Sequence, residues 1–238
     1  MENLPTGVEG LDLLMDGGYP EGKSILVTGP PGSGKTILGL HFLHRSCQDG
    51  RKCILVLTRE LTDDVLAQAR SLKLDLEPFI EKGQLSIRNI FEDKINKIKS
   101  VSKFGKGLCA VDTDIIEYLS SMSSEVDVVV IDNIGVMAIT HDIREFADEF
   151  SSISIILLKN GCTSLFIMDE DSYNLTQRLT GYMVFGLMRL ITQENFNSGK
   201  TKQYLYIEKM RNTPVPIKYS LFDITSHGIR VISSMKSP

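Results

Sequence analysis

One segment, Gly29-Pro30-Pro31-Gly32-Ser33-Gly34-Lys35-Thr36, constrains this chain more than any other. It fits G-x-x-x-x-G-K-[ST] with every fixed position present. A short apolar run, SILVTG at 24–29, precedes it, and a helical pattern from about Lys35 to Gln48 follows. Strand, glycine-rich turn and helix in that order make a phosphate cradle. The glycines let backbone N–H groups close around phosphate oxygens, and the helix N-terminus adds a favourable dipole. Lys35 is placed to neutralise β- and γ-phosphates, and the Thr36 hydroxyl to ligate Mg²⁺. The contacts expected with a nucleoside triphosphate run from Gly29 through Pro30, Pro31, Gly32, Ser33, Gly34, Lys35 and Thr36 to Ile37. A chance match in a glycine-rich turn is the alternative, and the complete motif in its proper context weighs against it.

A carboxylate able to hold a water on Mg²⁺ should end a neighbouring strand. Asp132 does so, closing the apolar run VDVVVI at 126–131. Continuous β-branched residues there predict a strand buried on both faces. Many phosphate-loop ATPases place a water-polarising Glu directly after this Asp, but the next residue here is Asn133, which cannot usefully accept a proton. Glu60 is the candidate base instead. It follows the apolar run Cys53–Leu57, the strand expected after the phosphate-loop helix, and parallel strand ends gather beside one crevice. The competing reading makes Glu60 an exposed partner of Arg59, a surface pair worth little.

The rest of the chain alternates strand and helix, which predicts a mostly parallel sheet covered by helices. Strands are expected at 52–57, 85–90 and 163–168. Helices are expected at 112–123, at about 142–159, and after Thr62, a candidate N-cap. Past Gly181 the pattern changes to strand segments 183–192, 203–211, 217–224 and 229–233, separated by turn signals, which read as hairpins added to one sheet edge. With no internal repeat, a single domain over 1–238 is expected.

Bulk properties remove several classes of function. A net charge of -4 gives no general attraction to nucleic acid or anionic membrane. Only 94–106 (KINKIKSVSKFGK), with five lysines and no acid, offers a local basic patch. It reads first as a solvated loop and second as a contact for nucleic acid or an acidic partner. Cys47, Cys53, Cys109 and Cys162 lack metal-ligand spacing and read as reduced core residues of a cytoplasmic protein. No stretch approaches the roughly 20 apolar residues of a membrane span.

Taken together, these motifs resemble the RecA superfamily, and within it the KaiC-like branch. The supporting segments are Thr6-Gly7-Val8-Glu9-Gly10-Leu11-Asp12 with Gly17-Gly18-Tyr19-Pro20-Glu21-Gly22, the phosphate loop, Thr62–Leu76, and a C-terminal pair. That pair, Glu208-Lys209-Met210-Arg211-Asn212-Thr213 and Phe222-Asp223-Ile224-Thr225-Ser226-His227-Gly228-Ile229, is the most specific. The resemblance implies a RecA-like core that self-associates head to tail, commonly as hexameric rings, with nucleotide between neighbours. Lys209 and Arg211 would then stabilise charge on the adjacent subunit's phosphates, and Thr213 would join the nucleotide contacts. Two departures bear on hydrolysis. KaiC carries two adjacent glutamates where this chain has Arg59-Glu60, and three acids, Asp169-Glu170-Asp171, follow the last parallel strand, where they would repel phosphate unless they point away.

Three functions compete. The first is a Mg²⁺-dependent ATPase used as a switch. The second is a nucleotide-gated regulatory module with negligible turnover, as in the archaellum accessory ATPase FlaH. The third is a RadA-paralogue recombination accessory protein binding single-stranded DNA, for which 172–182 (SYNLTQRLTGY) would be the contacting loop. That segment holds one Arg and two Tyr, which is thin for stacking and backbone tracking. No protein partner can be named from the residues.

Overall fold

The computed structural model describes residues 2–101, 115–140, 142–170, 174–195 and 200–232. In chain order the elements are β1 (Asn3–Leu4), β2 (Tyr19–Pro20), β3 (Ser24–Gly29), α1 (Lys35–Gln48), β4 (Cys53–Leu57), α2 (Thr62–Ser71), α3 (Glu77–Glu81) and β5 (Leu85–Asn89). Then come α4 (Ile90–Val101), α5 (Ile115–Ser120), β6 (Val128–Asp132), α6 (Met137–Thr140), α7 (Ile143–Lys159), β7 (Thr163–Asp169) and α8 (Asn174–Met183). Four strands close the chain: β8 (Gly186–Asn195), β9 (Lys200–Met210), β10 (Ser220–Thr225) and β11 (Gly228–Ile232).

Nine strands form one sheet in the order β11-β10-β9-β8-β3-β7-β6-β4-β5. The run from β8 to β5 is parallel, and β9, β10 and β11 continue it antiparallel. This is the α/β architecture expected. One detail differs: β8 belongs to the parallel part, so the antiparallel addition starts one strand later. Alternation along the central strands feeds two cores. Ile25, Val27, Leu55, Val130 and Ile167 pack on the α1 side, with Leu38, Phe42, Val65 and Ala69. Leu26, Val56, Val129, Ile131 and Phe166 face Phe146, Phe150 and Ile153 of α7 and Leu119 of α5. Helix α7 begins with a capping box, in which the Asp142 carboxylate accepts from the backbone of Arg144 and Glu145 while Glu145 reaches back.

The N-terminal segment braces the phosphate-loop helix. Asp12 Oδ1 accepts from Thr6 Oγ1 at 2.6 Å and from the Thr6 backbone at 2.9 Å. The Tyr19 ring meets Phe42 of α1 edge-on at 4.9 Å. On the far edge, the Ile229 N–H donates to His41 Nε2 at 2.9 Å, tying β11 to α1. Gly228 makes that contact feasible: its φ is +84°, and a Cβ there would lie 2.0 Å from His41 Nε2.

Three local expectations need correction. Thr62 is the first residue of α2 rather than its cap, and its N–H donates to Glu92 Oε1 at 2.7 Å, which removes the need for one. The lysine-rich segment is not a loop where it is described, because 94–101 belongs to α4; its remainder, 102–106, lies outside the described residues. The segment 172–182 is helix from Asn174 onward rather than a loop, with 172–173 outside the described residues. Among the described residues, no helix is long and apolar enough to cross a membrane.

Candidate functional site

The C-terminal ends of β3, β4, β6 and β7 open onto one cleft of about 510 Å³. Its lining includes Gly32, Lys35, Thr36, Glu60, Asp132 and Asp169. The crevice is where parallel strand ends meet, the standard place for a ligand in an open α/β sheet. Gly34 starts α1 with φ +96°, a conformation that costs a side-chain-bearing residue. The buried Ser33 Oγ has no hydrogen-bond partner among the described residues.

Lys35 is almost wholly buried, and its ammonium makes three contacts. It donates to Gly29 O at 2.8 Å and Pro30 O at 2.8 Å, and pairs with Asp169 Oδ1 at 2.9 Å. Beside it, Thr36 Oγ1 donates to Asp132 Oδ2 at 2.7 Å. Burial pushes the Asp132 carboxyl up to about 6, with the charges of Glu60 and Asp169 adding to the shift; the Thr36 hydrogen bond and Lys35 oppose it. A hydroxyl and a carboxylate in contact, amid further carboxylates, are hard oxygen donors suited to Mg²⁺. A divalent cation would favour the charged form of Asp132 against its burial and offset the neighbouring charges of Glu60 and Asp169. The residues fit the ion.

The strand ends are clamped together. Thr58 Oγ1 donates to Asn133 O at 2.8 Å and accepts from Asn133 N at 2.8 Å, across a cis Asp132–Asn133 peptide. Asn89 Nδ2 donates to Glu60 O at 2.9 Å, so the Glu60 backbone is fixed while its exposed side chain lines the cleft. Arg59 does not pair with Glu60. Its guanidinium meets Asp169 Oδ2 at 2.8 Å, and Asn133 Nδ2 donates to the same oxygen at 2.8 Å. Asp169 therefore points into the site instead of away, and the cations Lys35 and Arg59 hold it there. Glu170 turns toward Arg189 at 3.9 Å, and Asp171 lies outside the described residues.

Lys209, Arg211 and Thr213 are not brought to this cleft. Lys209 pairs with Leu187, whose neighbour on β3 is Leu26, three residues before Gly29. Arg211 and Thr213 lie farther from the phosphate loop still. A register shift between Leu187 and Met188 leaves Glu208 without a residue opposite it on β8, while its carboxylate pairs with Arg189 at 2.6 Å. Lys209 Nζ donates to Gly181 O, and Arg211 Nη2 to Tyr182 O at 3.2 Å, so both cations cap the C-terminal turn of α8. Partial burial and the neighbouring Arg211 lower the Lys209 ammonium's proton affinity, against a smaller pull from Glu208.

Sequence reasoning placed Asp169 near the phosphates but left open whether it faces them; it lines the cleft. Its position was the available signal: β7 pairs with β3 so that Asp169 lies opposite Gly29, the first residue of the phosphate loop. Gln68 of α2 also reaches the cleft, and nothing local in the sequence marks it.

Comparison with known proteins agrees with this geometry. The family profile described as "ATPase: KaiC" matches residues 4–236. UPF0273 protein PH0284 of Pyrococcus horikoshii is 29% identical over 238 residues, covering 96% of this chain and 93% of the relative. A UPF0273 protein of Thermotoga maritima is 28% identical over 245 residues, covering 98% and 97%. The circadian clock oscillator protein KaiC of Prochlorococcus marinus is 37% identical, but over 94 residues, 39% of this chain and 19% of that protein. The crystal structure of KaiC-like protein PH0186 from Pyrococcus horikoshii superposes with a TM-score of 0.77 at 24% identity, covering 98% and 99% of the two chains. The phosphate-loop geometry and the match over 4–236 lead to one assignment: this chain belongs to the KaiC ATPase family.

Proposed function

We propose that this chain is a Mg²⁺-dependent ATPase that works as a nucleotide-driven switch, assembled head to tail with nucleotide held between copies. The observation that carries the reading is the 2.7 Å contact of Thr36 with Asp132 beside the buried Lys35, in a cleft also lined by Glu60. Backbone N–H groups of the loop from Gly32 to Thr36 and the first turn of α1 bind the phosphates. Lys35 neutralises charge at the β- and γ-phosphates. Thr36 and Asp132 would hold Mg²⁺, which supplies electrostatic stabilisation of the transferring phosphoryl group. Glu60 orients the attacking water and accepts its proton.

Lys209 and Arg211 serve a neighbour in this reading. Three residues of strand separate the level of Lys209 from Gly29, about 10 Å along β3, and Arg211 lies beyond it. Cations set back from their own cleft and bonded to the end of α8 are better placed to meet phosphates on another copy. Head-to-tail stacking would bring them to a neighbour's cleft.

The test uses two substitutions. Lys35→Ala should abolish ATP binding. Glu60→Gln should reduce phosphate release about a hundredfold or more with ATP affinity retained. Normal turnover by Glu60→Gln would remove Glu60 as the base. A second reading, a regulatory module with negligible turnover, draws support from Asp169, which ties up Lys35 and adds negative charge beside Glu60. Tight ATP binding without measurable phosphate release selects it.

A further inference from the structure

The Lys35 ammonium has three hydrogens to donate, and all three are in use: Gly29 O, Pro30 O and Asp169 Oδ1. Two of these partners belong to the phosphate loop itself. The third, Asp169, is an anion from β7 and is the partner a phosphate oxygen most directly replaces. Asp169 is also anchored without Lys35. Its Oδ2 accepts from Arg59 and Asn133, both at 2.8 Å, so the carboxylate stays in the cleft when Oδ1 loses its contact.

We infer that Asp169 and Arg59 form a γ-phosphate discriminator. Asp169 competes with the terminal phosphate for Lys35, and Arg59 offsets the Asp169 charge once Lys35 has been taken. This rests on the nucleotide reading of the same cleft and adds its selectivity. A diphosphate and a triphosphate both bring a β-phosphate to the loop amides and Lys35, and what separates them is the charge of the γ-phosphate. A triphosphate places further negative charge beside a carboxylate held in position. The γ-phosphate charge beside the fixed Asp169 carboxylate therefore disfavours ATP relative to ADP, and Arg59 limits that penalty. Two single substitutions should then act in opposite directions. Removing the acid helps the triphosphate. Removing the base leaves an uncompensated carboxylate against it.

The experiment is calorimetric titration of the full chain with Mg-ADP and with the Mg complex of a β,γ-imido ATP analogue, which eliminates turnover. Wild type should bind ADP at least as tightly as the analogue. Asp169→Asn, nearly isosteric, should raise the analogue-to-ADP affinity ratio about tenfold, as expected for removing a competing partner from a charged hydrogen bond. Arg59→Gln should lower that ratio about threefold or more, and the double variant should recover it to the wild-type value or above. Wild-type preference for the analogue overturns the inference, as does an unchanged or lowered ratio in Asp169→Asn or an unchanged or raised ratio in Arg59→Gln. Binding of neither nucleotide by wild type or Asp169→Asn overturns the nucleotide reading itself, and this inference with it.

Discussion

Protonation of His41 should loosen the attachment of the antiparallel edge to the phosphate-loop helix. His41 Nε2 accepts from the Ile229 N–H at 2.9 Å, and the ring also hydrogen-bonds the Gly7 backbone. These partners select the neutral ring with Nε2 bare; a proton on Nε2 would face the Ile229 N–H. Burial is the main reason that the His41 pKa falls from 6.5 to about 4, with His44 lowering it slightly and the Gly7 contact opposing. Because the folded value lies below the unfolded one, the unfolded chain binds more protons between about pH 4 and 6.5. Stability is complete above that window and is lost as pH falls through it. A shift of about 2.5 units corresponds to roughly 3 kcal/mol in all, of which about 2 kcal/mol is lost by pH 5. Urea unfolding at pH 7 and pH 5 measures the loss. His41→Gln keeps an acceptor for Ile229 without a titrating group, so its pH dependence should be shallower by about 2 kcal/mol over the same interval. Parallel profiles for the two proteins would refute the reasoning.

Two further substitutions test contacts made by the C-terminal motifs. Gly228→Ala forces a Cβ to within 2.0 Å of His41 Nε2 at φ +84° and should cost at least about 2 kcal/mol in the same unfolding assay. Arg211→Ala should lower ATP turnover about a hundredfold or more in assembled protein while ATP binding persists. Unchanged turnover with a stability loss below about 1 kcal/mol would leave Arg211 only its capping contact with Tyr182.

Much of the fold was legible because its elements carry strong local signals. Within VDVVVI, the four residues from Val128 to Ile131 have no polar side to expose, so they had to lie in the middle of a sheet, and all four are fully buried. Helix α1 covers Lys35–Gln48 as the pattern predicts, since the glycine-rich turn ends the strand and fixes where the helix can start. Errors fell where a distant residue replaced a local cue. Thr62 looked like a cap, but Glu92 supplies the acceptor from 30 positions away. The segment 172–182 has the polar residues of a loop, yet Thr176, Gln177 and Thr180 are buried in a helix, and the carbonyls at its end are capped by Lys209 and Arg211.

For the site, the sequence by itself determined the residue types that need one another at fixed spacing. Lys35 and Thr36 follow from the phosphate loop, because a loop that closes around phosphate must present its lysine and hydroxyl at the start of the helix. Asp132 became the candidate metal ligand through the strand that it ends, and Glu60 the candidate base because Asn133 offers none. Only the tertiary structure decided which charges meet. Arg59 stands next to Glu60 in the chain, but successive residues at a strand end point in different directions, and Arg59 turns across β6 to Asp169, 110 positions away. Asp169 likewise could not be read as facing in or out, because its direction depends on the cations that receive it. Lys209 and Arg211 could be recognised as a motif, but only the register of β9 against β8 shows that they are set back from their own cleft. Spacing along the chain fixes local geometry, whereas pairing between strands fixes which distant charges share a site.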